Sequence, residues 1–261
     1  MDIDVLITTM HQCDFSIYDK MNIQTNAVIA NQTDYYKYEE KVFENSSVKF
    51  ISTKTRGLSR NRNIALGLSQ AKYVLFADDD MRFVDNYEEI IEKEFKLHPE
   101  ADAIKFYVEN VNSDRQLSWT RPKQFTKATR RNVSSSGVVA LVIKREILMR
   151  HNLYFHENYG SGTLNYCGED TIFLQTLINK KVVFFISPTK ISEISQGEST
   201  WFNGYNSDYF YTVGKVLSEI YPLLSRIIVI RSAYKFSKNE KCSLSFREIL
   251  KNYYLGIKSN K

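Results

Sequence analysis

Cysteine is scarce in this chain of 261 residues: Cys13, Cys167 and Cys242 stand far apart, and none forms a Cys-x-x-Cys pair. That spacing excludes a disulfide framework and a zinc cluster, and it suits a reducing compartment. The four prolines and ten glycines form no low-complexity linker or repeat. The opening Met1-Asp2-Ile3-Asp4 has neither the basic start nor the apolar run of a secretory signal. No stretch approaches the length of a membrane-spanning helix, so the expected location is the cytoplasm. What the chain does have is apolar content, 43%, enough for a substantial core in one large or two small domains.

The most informative run is Phe76-Ala77-Asp78-Asp79-Asp80-Met81. It places three carboxylates where the apolar stretch Tyr73-Val74-Leu75-Phe76 runs out. Such a stretch reads as a buried strand, and ligands of open α/β sheets gather beyond the carboxyl ends of strands. Adjacent like charges need a cation or a solvated turn to be tolerated. On an extended chain Asp78 and Asp80 share a face, which suits a divalent metal and a ribose. The alternative is an acidic turn capping the next element.

Upstream, Gly57-Leu58-Ser59-Arg60-Asn61-Arg62-Asn63 offers Ser59 as an N-cap and leads into a helix able to bury Leu58, Ala65, Leu66 and Leu68. Free N–H groups with Arg60 and Arg62 beside them would favour a phosphate; otherwise the arginines form a solvated face.

These segments resemble the family 2 glycosyltransferases of GT-A fold, which carry Gly-Leu-Ser-x-x-Arg-Asn followed by an Asp-x-Asp strand end. Here the matching positions are Gly57, Leu58, Ser59, Arg62 and Asn63, then Asp78 and Asp80. The similarity extends from Asp4 to about Ile186, and Gly168-Glu169-Asp170 fits that family's downstream Glu-Asp motif. The resemblance implies a nucleotide-sugar donor, Mg²⁺ or Mn²⁺ held at Asp80, and transfer with inversion to a glycan acceptor. By position it makes Asp170 the base and gives Glu169 to sugar or acceptor hydroxyls. It sets Thr8, Thr9, Asn31, Gln32, Ser59, Arg62, Asn63, Asp78 and Asp79 around the donor. Asn31 and Gln32 stand where the family usually has two aspartates, so a uridine base is an expectation read through carboxamides. Many relatives add a histidine ligand late in the domain, whereas here none follows His156, leaving Glu193, Glu198 or water.

The expected architecture is an α/β GT-A sheet, mostly parallel, flanked by helices. Strands are expected at 4–9, 27–30, 48–51, 103–108 and 138–143, and helices from Asp85 and from Glu169. Asn110 to Val133 reads as a polar basic loop. The expected division is a catalytic domain at 1–200 and a basic helical extension at 201–261. Tyr221 to Arg231, followed by Lys235, Lys238, Lys241, Arg247, Lys251, Lys258 and Lys261, predicts amphipathic basic helices. These would either touch an anionic leaflet, where a lipid-linked acceptor would ride, or form a lid with its lysines in water. No nucleic-acid partner is expected. Two other classes compete. A sugar nucleotidyltransferase would need a glycine-rich loop after the first strand, which Thr8-Thr9-Met10-His11-Gln12-Cys13 lacks. A non-catalytic sugar-binding protein could stack sugars on Trp119, Trp201 and the tyrosines but has no need of the acidic motif.

Overall fold

The computed structural model describes residues 1–44, 46–111, 121–134, 136–195 and 204–260. The first half runs β1 (Ile3–Met10), α1 (Ser16–Lys20), β2 (Asn26–Gln32), β3 (Lys37–Phe43), β4 (Ser46–Thr53), α2 (Leu58–Leu68), β5 (Tyr73–Asp78), β6 (Met81–Phe83) and α3 (Tyr87–Leu97). There follow β7 (Ala103–Asn110), β8 (Thr126–Lys127), β9 (Leu141–Lys144), α4 (Arg145–Arg150), α5 (Glu169–Asn179) and β10 (Phe184–Ile194). Three helices close the chain: α6 (Ser207–Ile220), α7 (Ser225–Phe236) and α8 (Phe246–Ser259).

One sheet holds all the described strands, in the order β3-β4-β2-β1-β5-β9-β7-β10-β6, with β8 paired to β10. The run β4-β2-β1-β5 is parallel, as is β7 with β10. β9 runs antiparallel between β5 and β7, and β3 is an antiparallel edge. The sheet is therefore mixed around a parallel centre.

β1 shows why the centre reads as one apolar run. Val5 and Ile7 enter one core cluster and Leu6 the other, so successive side chains bury on opposite faces. On β5, Leu75 and Ala77 face the first cluster while Val74 and Phe76 face the second. Phe76 packs edge-on against Phe155 and Phe173, which stack on each other. Burying one such ring stabilises the fold by roughly 1.5–3 kcal/mol.

The expected strand at 138–143 is shorter. Val138 to Ala140 turns instead, with Ala140 at a positive φ of 60° between β5 and β7. Its N–H donates to the Phe76 carbonyl and its carbonyl accepts from Phe106 N–H, which holds an alanine in a region it rarely occupies. α3 starts after Asn86, and Asp85 accepts a hydrogen bond from Asn22 instead of opening the helix.

The C-terminal helices pack around their own cluster of Phe210, Val229, Ala233, Ile249, Tyr253 and Ile257. α6 and α8 cross at Gly214 and Gly256. A Cβ at Gly256 would lie 2.0 Å from the Tyr211 carbonyl oxygen, and one at Gly214 2.4 Å from that of Tyr253. Only glycine permits this backbone contact. Among the described residues no helix is long and apolar enough to cross a membrane.

Candidate active site

β5 delivers Asp78 as its last residue, and Asp79 and Asp80 turn away before β6. The extended arrangement expected to put Asp78 and Asp80 on one face therefore stops at Asp78, two residues short of Asp80. Thr8 and Thr9, at the carboxyl end of neighbouring β1, donate to Asp78 Oδ1 at 3.0 Å and Asp79 Oδ2 at 2.6 Å. Asp80 has no ion-pair partner among the described residues. The packed strand end and repulsion from Asp78 and Asp79 push its carboxyl up to about 7, although the residue is open to solvent.

Gly57, at φ 113°, is the residue before the first turn of α2, in place of the Ser59 expected there. Gly162 lies against Gly57, and the Leu58 N–H donates to the Ser161 carbonyl at 2.9 Å. A side chain on either glycine would hold the 159–163 loop away from the helix. Ser59 is buried and donates its hydroxyl to the Tyr159 carbonyl at 2.7 Å. Asn63 exchanges hydrogen bonds with both the carbonyl and the N–H of Phe155. Arg60 pairs with Glu157. Of the two arginines expected either to meet a phosphate or to form a solvated face, Arg60 is exposed and paired at the surface.

Arg62 is the centre of the arrangement, 2% exposed at its side chain. Its Nη2 donates to Asp78 Oδ1 at 3.1 Å and its Nη1 to Asp170 Oδ1 at 2.5 Å, while Glu169 Oε1 lies 3.9 Å away. Burial works against its charge, but Asp170, Asp78 and Glu169 outweigh that effect and keep the guanidinium protonated. One planar fork joins the strand-end acid to the helix-start acid.

Gly168 precedes α5 in a left-handed conformation, and Glu169 and Asp170 form its first turn. Asp170 Oδ2 accepts from the Val138 N–H at 3.0 Å, so two donors face this carboxylate. Glu169 sits under Gly160. Burial and repulsion from Asp170 hold its carboxyl well above the usual glutamate range, only partly opposed by the more distant Arg62. A group whose folded-state pKa is raised stabilises most below its unfolded value, about 4.5, and loses that contribution as pH climbs. Glu169→Gln should therefore gain about 1–3 kcal/mol over the parent protein at alkaline pH and little in acid. Thermal melts across pH test this; a constant difference would mean that Glu169 ionises freely.

Asn31, expected at the base, is fully buried. It bonds both main-chain groups of Gln12 and the Ser52 hydroxyl, so both amide hydrogens are engaged within the protein. Gln32 Oε1 accepts from the Gly57 N–H at 2.9 Å. Glu193 pairs with Lys190 on β10, opposite Arg82 of β6. Trp119, Glu198, Trp201 and Lys261 lie outside the described residues.

Sequence reasoning passed over Lys105, a lysine inside the apolar run of β7. It is 3% exposed, donates to the Val139 carbonyl at 2.7 Å, and is pushed down to about 8 by burial, partly opposed by Asp170. Tyr159 was also missed. Its hydroxyl lies 3.4 Å from Glu219 Oε1 and 3.2 Å from Asn260 Oδ1, tying the 159–163 loop to α6 and the end of α8.

Among the described residues no three His, Cys, Asp or Glu side chains converge to hold a metal ion. What the chain offers is Asp80, a hard oxygen donor beside two more carboxylates. That donor fits an ion bound mainly by substrate phosphates and water, the usual manner for Mg²⁺.

A mixed sheet whose parallel strands end at an acidic triplet, beside a glycine-led helix, is the GT-A glycosyltransferase architecture. Residues 29–153 match the model of Glycosyl transferase family 2. That stretch contains α2 and the acidic triplet; Thr8, Thr9, Glu169 and Asp170 fall outside it. Among solved structures the chain is similar to S. aureus TarS 1-349 in complex with UDP-GlcNAc, at 16% identity and a TM-score of 0.62 over 92% of this chain and 74% of that one. For the same protein in complex with UDP the values are 14%, 0.63, 92% and 73%. For S. aureus TarS itself the identity is 14% and the TM-score 0.63, over 92% of this chain and 44% of that one. At these identities the likeness is one of fold. No curated protein sequence matches the chain.

Proposed function

We propose that the chain transfers a sugar from a nucleotide-sugar donor, expected to be a UDP-sugar, to a hydroxyl of a bacterial surface glycan with inversion. The observation that carries this reading is the Arg62 fork, which brings the strand-end carboxylate Asp78 and the helix-start carboxylate Asp170 to one guanidinium. Inverting transfer needs both: an acidic end where the leaving diphosphate is met, and a carboxylate opposite to take the acceptor proton. That S. aureus TarS binds UDP-GlcNAc and UDP on a similar fold supports the donor class.

In this reading the acceptor oxygen attacks the anomeric carbon, the bond to the diphosphate breaks, and Asp170 takes the hydroxyl proton. Arg62 and the Val138 N–H hold the Asp170 carboxylate in place for that role. Glu169 would meet sugar or acceptor hydroxyls. Thr8 and Thr9 fix Asp78 and Asp79 beside the donor, and Gln32 remains the carboxamide able to reach a base. Ser59, Asn63 and Asn31 act on the donor by shaping its surroundings. Arg62 and Lys105 are positioning residues, the latter through the Val139 carbonyl next to the N–H that holds Asp170. A Mg²⁺ or Mn²⁺ ion at Asp80 would offset the diphosphate charge. The reaction belongs on the cytoplasmic side of the membrane, and the catalytic part to residues 1–200, with 201–261 as an extension.

Incubation with a panel of nucleotide sugars and Mn²⁺ tests the activity. Slow hydrolysis of UDP-sugars is expected, and no turnover of any donor would overturn the reading. Calorimetry tests the ion: UDP affinity should fall by at least about tenfold on adding a chelator or on Asp80→Ala. Equal affinity in all three samples would remove the metal from the mechanism.

A further inference from the structure

α7 buries Ser225, Val229 and Ala233 against the other C-terminal helices. At 100° per residue the opposite side of the same helix carries Ile227, Ile230 and Tyr234, continued by Leu223 just before its start. These side chains are exposed: Leu223 90%, Ile227 67%, Tyr234 63% and Ile230 45%. Such a stripe on a helix that already has a packed face is what a second surface looks like. Arg226 flanks it on one side and Arg231 and Lys235 on the other, with Lys238 one turn on. No acidic residue occurs from Pro222 to Asn239. Beside Arg226, α7 and α8 form a groove of about 510 Å³ lined by Arg226, Tyr254, Ile257 and Lys258, two cations beside two apolar bodies. Leu255 on α8 is exposed as well.

We infer that this face of α7 is a docking surface for an anionic phospholipid bilayer, lying in the plane of the leaflet. The apolar stripe would enter the acyl boundary, the flanking cations would meet phosphates, and the groove between Arg226 and Lys258 would seat one headgroup. Charge complementarity decides the occupant. A second copy of the chain would set the same cations against themselves, with no carboxylate in the stretch to answer them. An anionic leaflet answers every one of them. The surface carries no residue of the candidate active site, so it stands independently of the proposed reaction.

The test uses the full chain in co-sedimentation with vesicles of phosphatidylcholine mixed with phosphatidylglycerol, and with vesicles of phosphatidylcholine alone. Binding is expected to the mixed vesicles only, fading as salt rises. Arg226→Gln with Arg231→Gln should weaken it by roughly fivefold for each charge removed. Ile227→Ser with Ile230→Ser should weaken it at least as much, with an unchanged thermal melt because both residues point outward. Donor hydrolysis without vesicles should be unchanged in both double variants. Absence of binding to mixed vesicles, or binding indifferent to the isoleucine pair, would overturn the inference. So would concentration-dependent dimers that dissociate in the isoleucine variant, which would make the face a contact between copies.

Discussion

Asp170→Asn should lower sugar transfer by roughly 10²- to 10⁴-fold, the range typical of losing a general base, while UDP affinity changes little. The substitution keeps the side chain's size and an oxygen to accept from Val138 N–H or Arg62, so the loop and helix keep their places. What it removes is the proton acceptor. Glu169 is the control, because its raised proton affinity makes it a poor base near neutrality and a better one in alkali. If Asp170→Asn transfers normally and Glu169→Gln does not, the two roles are exchanged. A rate that climbs steeply into alkaline pH would point the same way.

Arg62→Met should cost about 3–5 kcal/mol of stability, because it removes the guanidinium buried between Asp78, Asp170 and Glu169. In a chain of this size that is a fall of roughly ten degrees in melting temperature. The deficit should shrink in acid, where protonation relieves the repulsion among the three carboxyls. Arg62→Lys keeps the charge but lacks the two-pronged donor, so it should recover part of the stability and less of the turnover. A methionine variant within about 1 kcal/mol of the parent would show that the acids do not depend on this guanidinium.

The parallel centre was legible because both faces of β1 and β5 are buried, which leaves uninterrupted apolar runs in the sequence. β3 was not, since Lys37-Tyr38-Glu39-Glu40-Lys41 is a solvated edge with no apolar pattern to betray it. β9 lost its first residues to a turn around Ala140, whose backbone conformation nothing in Val138-Val139-Ala140-Leu141 announces. At the site, residue types and spacing brought forward Arg62 and Asp78, the family resemblance brought forward Glu169 and Asp170, and the fold gathers all four. What spacing does not encode is the direction in which each side chain faces. Ser59, Asn63 and Asn31 turned out to be bonded to main chain, a fate polar residues at element ends share with ligand contacts. Lys105 carried a readable sign, an ionisable group in the middle of an apolar strand.

The Tyr159 hydroxyl reaches Glu219 and Asn260, while its carbonyl accepts from Ser59. Anyone trimming a gene for expression would be drawn to the composition change near residue 200. A fragment ended there would lose the anchor of the loop that roofs Glu169, along with Val216 and Ile220, which bury the Tyr159 ring. Such a fragment would report on a loosened candidate site, and weak turnover measured in it would say little about the full chain. Chemistry is better separated from the C-terminal helices by substitution on the outer face of α7 than by truncation.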